Sequence, residues 1–272
     1  MLELKNLSVG YDGRYVIRNV NLTFELGMIY TIVGKNGSGK STLLKSCSGL
    51  LTPKVGSVLL DDKELSKYPA NQRALKVSYL SQSTNTPNIT VERLLAHARF
   101  PHLNYPKKLR QEDISIIYRA LGEMKAACFA HDSLRELSGG ERQRVYLAMQ
   151  LAQDAPILLL DEPTTYLDIE YQLSLMELLQ KLKREGKTII MVLHDLQQAL
   201  KYSDRIIAID AGKEIYTGTP QEMLDAGFLK KVFHVDIQHN EYTINLKNPA
   251  AVSSEVIIAS TIGFGSSSCR SR

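Results

Sequence analysis

The segment Gly34-Lys35-Asn36-Gly37-Ser38-Gly39-Lys40-Ser41 constrains the fold of this 272-residue chain more than any other feature. It follows MIYTIV, residues 28–33, an apolar run too short for a helix that reads as a strand buried on both faces. A helix is expected to follow, from Lys40 to about Leu50. A glycine-rich turn between a buried strand and a helix N-terminus turns backbone N–H groups inward, and the helix adds partial positive charge. That is a cradle for phosphate. An ordinary glycine turn is the bland alternative, but the strand before and the helix after are the context the phosphate reading demands.

The spacing is that of the P-loop pattern, G-x-x-x-x-G-K-[ST]. Gly34, Asn36, Gly37, Ser38, Gly39 and Thr42 are expected to surround a nucleotide's phosphates, with Lys40 reaching the β- and γ-phosphates and the Ser41 hydroxyl ligating Mg²⁺. Downstream, Ile157-Leu158-Leu159-Leu160-Asp161-Glu162 reads as a buried strand ending in two carboxylates. In parallel α/β sheets ligands bind beyond the carboxyl ends of strands, so both acids are expected to face the phosphate site. Asp161 is assigned to Mg²⁺, and Glu162 to orienting and polarising the attacking water as a general base. A strand ending in Asp-Glu is on its own more often a solvated turn; its pairing with the upstream loop reverses that.

Further short apolar runs read as strands at Ser57–Leu60, Val77–Leu80, Thr188–Leu193 and Arg205–Ile209, and Leu22, Phe24 and Leu26 alternate onto one face of an early strand. Glu170–Glu185 reads as a helix with Leu173, Met176, Leu179 and Leu182 on one face and Gly186 as its C-cap. Strands alternating with helices predict an α/β core with a mainly parallel sheet. Residues 87–153 break the rhythm: no strand is evident, and Ile114, Ile117, Leu121 and Met124 recur at helical spacing, as expected of an inserted helical lobe. The core is then 1–86 and 154–248, and 249–272 is a Ser/Ala/Gly-rich tail expected to be poorly ordered.

The formal charge of +4 suits nucleotides or a membrane-side partner, but it lacks the clustered basic stripe of a nucleic-acid binder, so no nucleic-acid partner is expected. Cys47, Cys128 and Cys269 are odd in number and match no metal spacing, which reads as unpaired thiols in a reducing compartment. MLELKNLSVG shows neither a basic n-region nor an apolar h-region, and no apolar run nears the ~20 residues of a spanning helix. Work at a membrane is expected to be peripheral.

Leu137-Ser138-Gly139-Gly140-Glu141-Arg142-Gln143-Arg144 opens a helix. Ser138 with Glu141 three residues on forms a capping box, yet a cap does not need two consecutive glycines, and bare N–H groups there make a second anion site. LSGGERQR resembles the signature of ATP-binding cassette (ABC) ATPases, placed as in that family between the P-loop and the acidic strand. Other residues match residue by residue over about 1–240. Tyr11 in YDGRYVI corresponds to the aromatic that stacks on adenine, and Gln82 in VSYLSQ to the Q-loop glutamine that touches Mg²⁺. Leu167-Asp168 corresponds to the D-loop, although Tyr166 stands where many members have a small residue. His194 in IIMVLHD corresponds to the switch histidine that senses the γ-phosphate.

The resemblance implies a P-loop NTPase fold with an N-terminal antiparallel β portion and ATP hydrolysis with Mg²⁺. Its catalytic residues would be Glu162, His194 and Lys40. It also implies a head-to-tail dimer in which Ser138, Gly139, Gly140, Glu141 and Asp168 of one subunit complete the partner's ATP site, beside an integral-membrane permease on the cytoplasmic side. TTYLDIEYQ and ITVERLLAHARFPH are similar to ATPases of importers for ferric siderophores, haem or cobalamin, which work with a substrate-binding protein. Thr90–His102 would form the groove that receives the permease, with Arg93 or Arg99 facing it. The alternatives are an ABC ATPase for another substrate, or a non-transport ABC protein; the latter usually carries two tandem cassettes or a long coiled-coil insert, and neither is present. A switch GTPase would need an N-K-x-D motif, and none occurs.

Overall fold

A computed structural model of the chain describes residues 1–82 and 86–225. Strands β1 (Leu2–Tyr11) and β2 (Arg14–Phe24) form an antiparallel hairpin. Its two-residue turn, Asp12-Gly13, has φ of 44° and 80°, the left-handed pair that matches strand twist in tight hairpins. β1 also pairs with β4 (Val55–Leu60), and β4 with the short β5 (Lys63–Glu64), giving an antiparallel sheet ordered β2-β1-β4-β5. Leu22 and Phe24 are buried as their alternation predicts. Leu26 is not: β2 ends at Phe24, and Leu26, 58% exposed, lies in the turn that follows.

The second sheet has the order β10-β9-β3-β8-β7-β6. It comprises β3 (Ile29–Val33), β6 (Val77–Leu80), β7 (Ile157–Asp161), β8 (Thr188–Val192), β9 (Arg205–Asp210) and β10 (Lys213–Gly218). All neighbouring pairs are parallel except β9 with β10. Every residue of β3, β7 and β8 is buried, which is why these strands read as unbroken apolar runs rather than alternations. Helix α1 (Lys40–Cys47), which stops short of Leu50, packs between the two sheets. Its Leu43, Leu44 and Cys47 join one hydrophobic core with Leu2, Leu4, Phe24, Ile32 and Leu159. Burial pushes the Cys47 thiol up to about 12, so it is an inert core residue. The expectation of an unpaired thiol holds there.

After the short α2 (Ala70–Ala74), the chain between β6 and β7 holds α3 (Val91–Arg99), α4 (Gln111–Glu123) and α5 (Gly139–Gln153). Among its described residues it adds no strand to either sheet. The α3, α4 and α5 helices pack on one another through Leu95, Ile117, Leu121 and Val145, and a buried ion pair ties them. Arg99 Nε donates to Asp113 Oδ1 of α4 at 3.0 Å, and its Nη1 to the Ala152 carbonyl of α5 at 2.9 Å. The sequence expectation that Arg99 is a candidate partner-facing residue therefore fails; Arg93 is the exposed one.

Helix α6 (Ile169–Arg184) buries Leu175, Met176 and Leu179, while Leu173 is 44% exposed, so the buried stripe is rotated from the one expected. Asp168 is the N-cap; the C-cap is Glu185, and Gly186, expected to be the cap, follows it at φ 90°. Helix α7 (Leu196–Tyr202) joins β8 to β9. These elements belong to a compact unit, Met1–Thr219; a second unit begins at Pro220 with α8 (Pro220–Asp225). No helix of the described residues is long and apolar enough to cross a membrane. The expected tail, 249–272, lies outside the described residues.

Candidate functional site

The loop after β3 crosses the end of the parallel sheet against β9. Gly34 takes φ 154°, and a Cβ there would stand 2.2 Å from the Ile209 carbonyl oxygen, so only glycine lets the loop lie this close. The Lys40 side chain is 6% exposed and folds back over the loop, its Nζ donating to the Gly34 carbonyl at 2.9 Å and the Lys35 carbonyl at 3.0 Å. Burial holds its ammonium below the ordinary lysine range, against the pull of the Glu162 and Asp161 charges. The Ser38 hydroxyl is buried in this loop with no hydrogen-bond partner among the described residues. A buried, unpaired donor beside a half-desolvated cation is an arrangement that an anionic ligand would satisfy.

Opposite the loop, β7 ends in Asp161, and Glu162 follows it. Asp161 is 1% exposed; Ser41 Oγ donates to its Oδ1 at 3.0 Å and Tyr79 OH to its Oδ2 at 3.2 Å. Burial raises the Asp161 carboxyl, the two hydroxyl donors oppose that, and the Glu162 charge adds to it. Among the described residues no cationic side chain is bonded to this carboxylate. A buried anion that meets only hydroxyl groups suits a small hard cation, which takes oxygen ligands and uses few protein groups.

Glu162 stands in the left-handed region at φ 53°, a backbone conformation costly for a branched-off side chain and held here by its surroundings. Its Oε1 lies 2.5 Å from His194 Nε2, and its Oε2 accepts from Gln82 Nε2 at 2.7 Å and Thr165 Oγ1 at 3.4 Å. Gln82 thus meets Glu162 directly. These groups surround a cleft of about 390 Å³ lined in part by Asn36, Gly39, Lys40, Ser41, Thr42 and Gln82. A further cleft of about 240 Å³, between α4, α5 and α6, holds none of the predicted residues.

The remaining predicted residues are not brought to this cleft by their own chain. Tyr11, 44% exposed, ends β1. Ser138 caps α5 by the expected reciprocal pair: its Oγ accepts from Glu141 N at 3.3 Å, and its N–H donates to Glu141 Oε2 at 2.7 Å. A Cβ on Gly140 would lie 2.9 Å from the Tyr166 carbonyl oxygen, and Gly139 faces the Tyr166 ring, so the double glycine lets the 163–168 loop pass over the start of α5. Asp168 Oδ1 accepts from Tyr171 N at 2.9 Å, as a cap does.

Sequence reading missed the groups that hold these loops. Gln143 Nε2 donates to the Pro163 carbonyl at 3.0 Å. Gln172 Nε2 donates to the carbonyls of Thr164 at 3.4 Å and Leu167 at 3.0 Å, and Gln198 Nε2 to Gln172 Oε1 at 2.9 Å. Glutamines on helices carry no sequence signal for such contacts. Tyr79 was not legible either, because only the pairing of its strand with β7 puts it on the face of Asp161.

The profile of the family described as "ABC transporter" matches residues 17–165. The chain is 41% identical over 239 residues to the iron(3+)-hydroxamate import ATP-binding protein FhuC of Bacillus subtilis, covering 87% of this chain and 89% of that one. It is 42% identical over 233 residues to the ferric enterobactin transport ATP-binding protein FepC of Escherichia coli, covering 84% and 85%. Among solved structures, a dimeric ATP-binding cassette in a post-hydrolysis state with ADP and phosphate is similar at a TM-score of 0.74 and 30% identity, over 81% of this chain and 99% of that one.

Proposed function

Because the chain belongs to the ABC transporter family as an ATP-hydrolysing subunit of an importer, we propose that its cargo is a ferric siderophore, haem or a related chelate. It acts as a dimer with a membrane permease, and we place it at the cytoplasmic face with a substrate-binding protein delivering the chelate. The observation that carries the nucleotide chemistry is one cleft lined by Lys40, Ser41 and Glu162, with Asp161 bonded to Ser41. Lys40 meets the β- and γ-phosphates, and the N–H groups at the start of α1 close around them. Ser41 and Asp161 would hold Mg²⁺, which when bound would offset phosphate charge. Glu162 takes the proton of the attacking water, and His194 and Gln82 hold its two carboxylate oxygens in place.

Ser138, Gly139, Gly140, Glu141 and Asp168 are read as serving the partner subunit's site, and Tyr11 as stacking on adenine. That the first five lie off their own chain's cleft supports the reading that they serve the partner's site. Residues 87–153 are read as the lobe that meets the permease. Arg93, exposed on α3, is the residue to test. Arg93→Glu should weaken co-purification with the permease roughly tenfold and leave ATP binding intact. Arg99→Glu should instead lower the melting temperature, since breaking a buried pair costs about 3–5 kcal/mol. Equal assembly by Arg93→Glu and the parent would remove the α3 face from the contact.

The cargo is tested by growth of a deletion strain on iron supplied only as ferric siderophore or haem, or on cobalamin as a required nutrient. Loss of growth on one of these supports the proposal. Normal uptake of every such chelate, with lost uptake of a sugar, amino acid or free metal ion, overturns it.

A further inference from the structure

We propose that Tyr79 is a positioning residue for the Asp161 carboxylate, its hydroxyl deciding which carboxylate oxygen is turned toward Ser41 and the phosphate end of the cleft. This rests on reading Asp161 as a holder of the divalent cation. The placement follows from the sheet. β6 and β7 are parallel neighbours with Tyr79 opposite Leu159, so Asp161 stands two residues beyond, on the same face and within diagonal reach of a long side chain. The two carboxylate oxygens are divided between two hydroxyls, Ser41 Oγ on Oδ1 at 3.0 Å and Tyr79 OH on Oδ2 at 3.2 Å. Rotation of the carboxylate about its last torsion, which is otherwise soft, would break both bonds at once.

Tyr79 is itself held from two sides. Its ring packs against the hydrophobic core, and the Ser81 hydroxyl hydrogen-bonds its oxygen. Outer groups that orient a metal-ligating carboxylate commonly govern metal affinity without touching the metal. The bland alternative is that Tyr79 only fills space, in which case phenylalanine serves equally well.

Tyr79→Phe keeps the ring and removes the hydroxyl. In the full-length protein loaded with ADP, Mn²⁺ binding followed by electron paramagnetic resonance should weaken about tenfold. ADP affinity in EDTA should stay as in the parent. Asp161→Asn, measured in parallel, should weaken Mn²⁺ further. Unchanged Mn²⁺ affinity in Tyr79→Phe beside a weakened Asp161→Asn overturns the inference alone. Unchanged affinity in both variants overturns the cation reading of Asp161 and the inference with it. Parallel losses of Mn²⁺ affinity and of ADP affinity in EDTA would make Tyr79 a packing residue and overturn the inference as well.

Discussion

Glu162→Gln should stop ATP turnover while leaving ATP bound. Glu162 is 8% exposed, and its two oxygens face His194 Nε2 on one side and Gln82 Nε2 on the other. Glutamine keeps the size of the side chain and an oxygen that can still accept from Gln82. It loses the negative charge and the basicity needed to take a proton from water. Removing a general base lowers rates about 10²–10⁴-fold. Ligand contacts made by Lys40, Ser41 and the start of α1 are untouched, so ATP affinity should stay near that of the parent. With hydrolysis blocked, the ATP-bound dimer should accumulate. Phosphate release and sizing chromatography at millimolar Mg·ATP check both halves. A monomer that turns over at the parent rate would refute the base assignment and the shared-site dimer together.

Lys40→Ala should lose ATP binding or hydrolysis by at least about a hundredfold in kcat/KM, the scale of removing one positioned charge from a phosphate or oxyanion site. Among the described residues no other cation is bonded within this loop: Lys40 Nζ rests on the Gly34 and Lys35 carbonyls, close to where the phosphates would lie. The fold should survive. The loop keeps its backbone bonds from Ser38 N to the Lys35 carbonyl at 3.2 Å and from Leu43 N to the Gly39 carbonyl at 2.9 Å. Circular dichroism should therefore match the parent while ATPase activity, measured in the reconstituted complex with the permease, disappears. Activity within about twofold of the parent would remove Lys40 from the site.

Much of the fold was readable because its signals are local. The buried strands β3, β7 and β8 advertise themselves as apolar runs, and the glycine and lysine pattern of residues 34–41 marks the passage from strand to helix. The capping box at Ser138 and Glu141 is likewise a contact between residues three apart. Leu26 and Leu173 were misplaced for a related reason. Periodicity shows that a face is apolar, but not where a strand ends or how far a helix is turned, and those depend on what packs against it.

By itself the sequence determined the cradle, the acidic strand end and the alternation of strands and helices, because each is written in residues adjacent along the chain. Only the tertiary structure decided the partners. Arg99 proved to be a buried tie among three helices instead of a surface charge, since Asp113 and Ala152, far from it in sequence, close around its guanidinium. Gln82 was placed on Glu162, 80 residues away, and Tyr79 on Asp161, 82 residues away. Such contacts are set by the order of strands in a sheet. A carboxylate's hydrogen-bond donors are whatever the neighbouring strand and loop bring within about 3 Å, and local pattern carries no record of that.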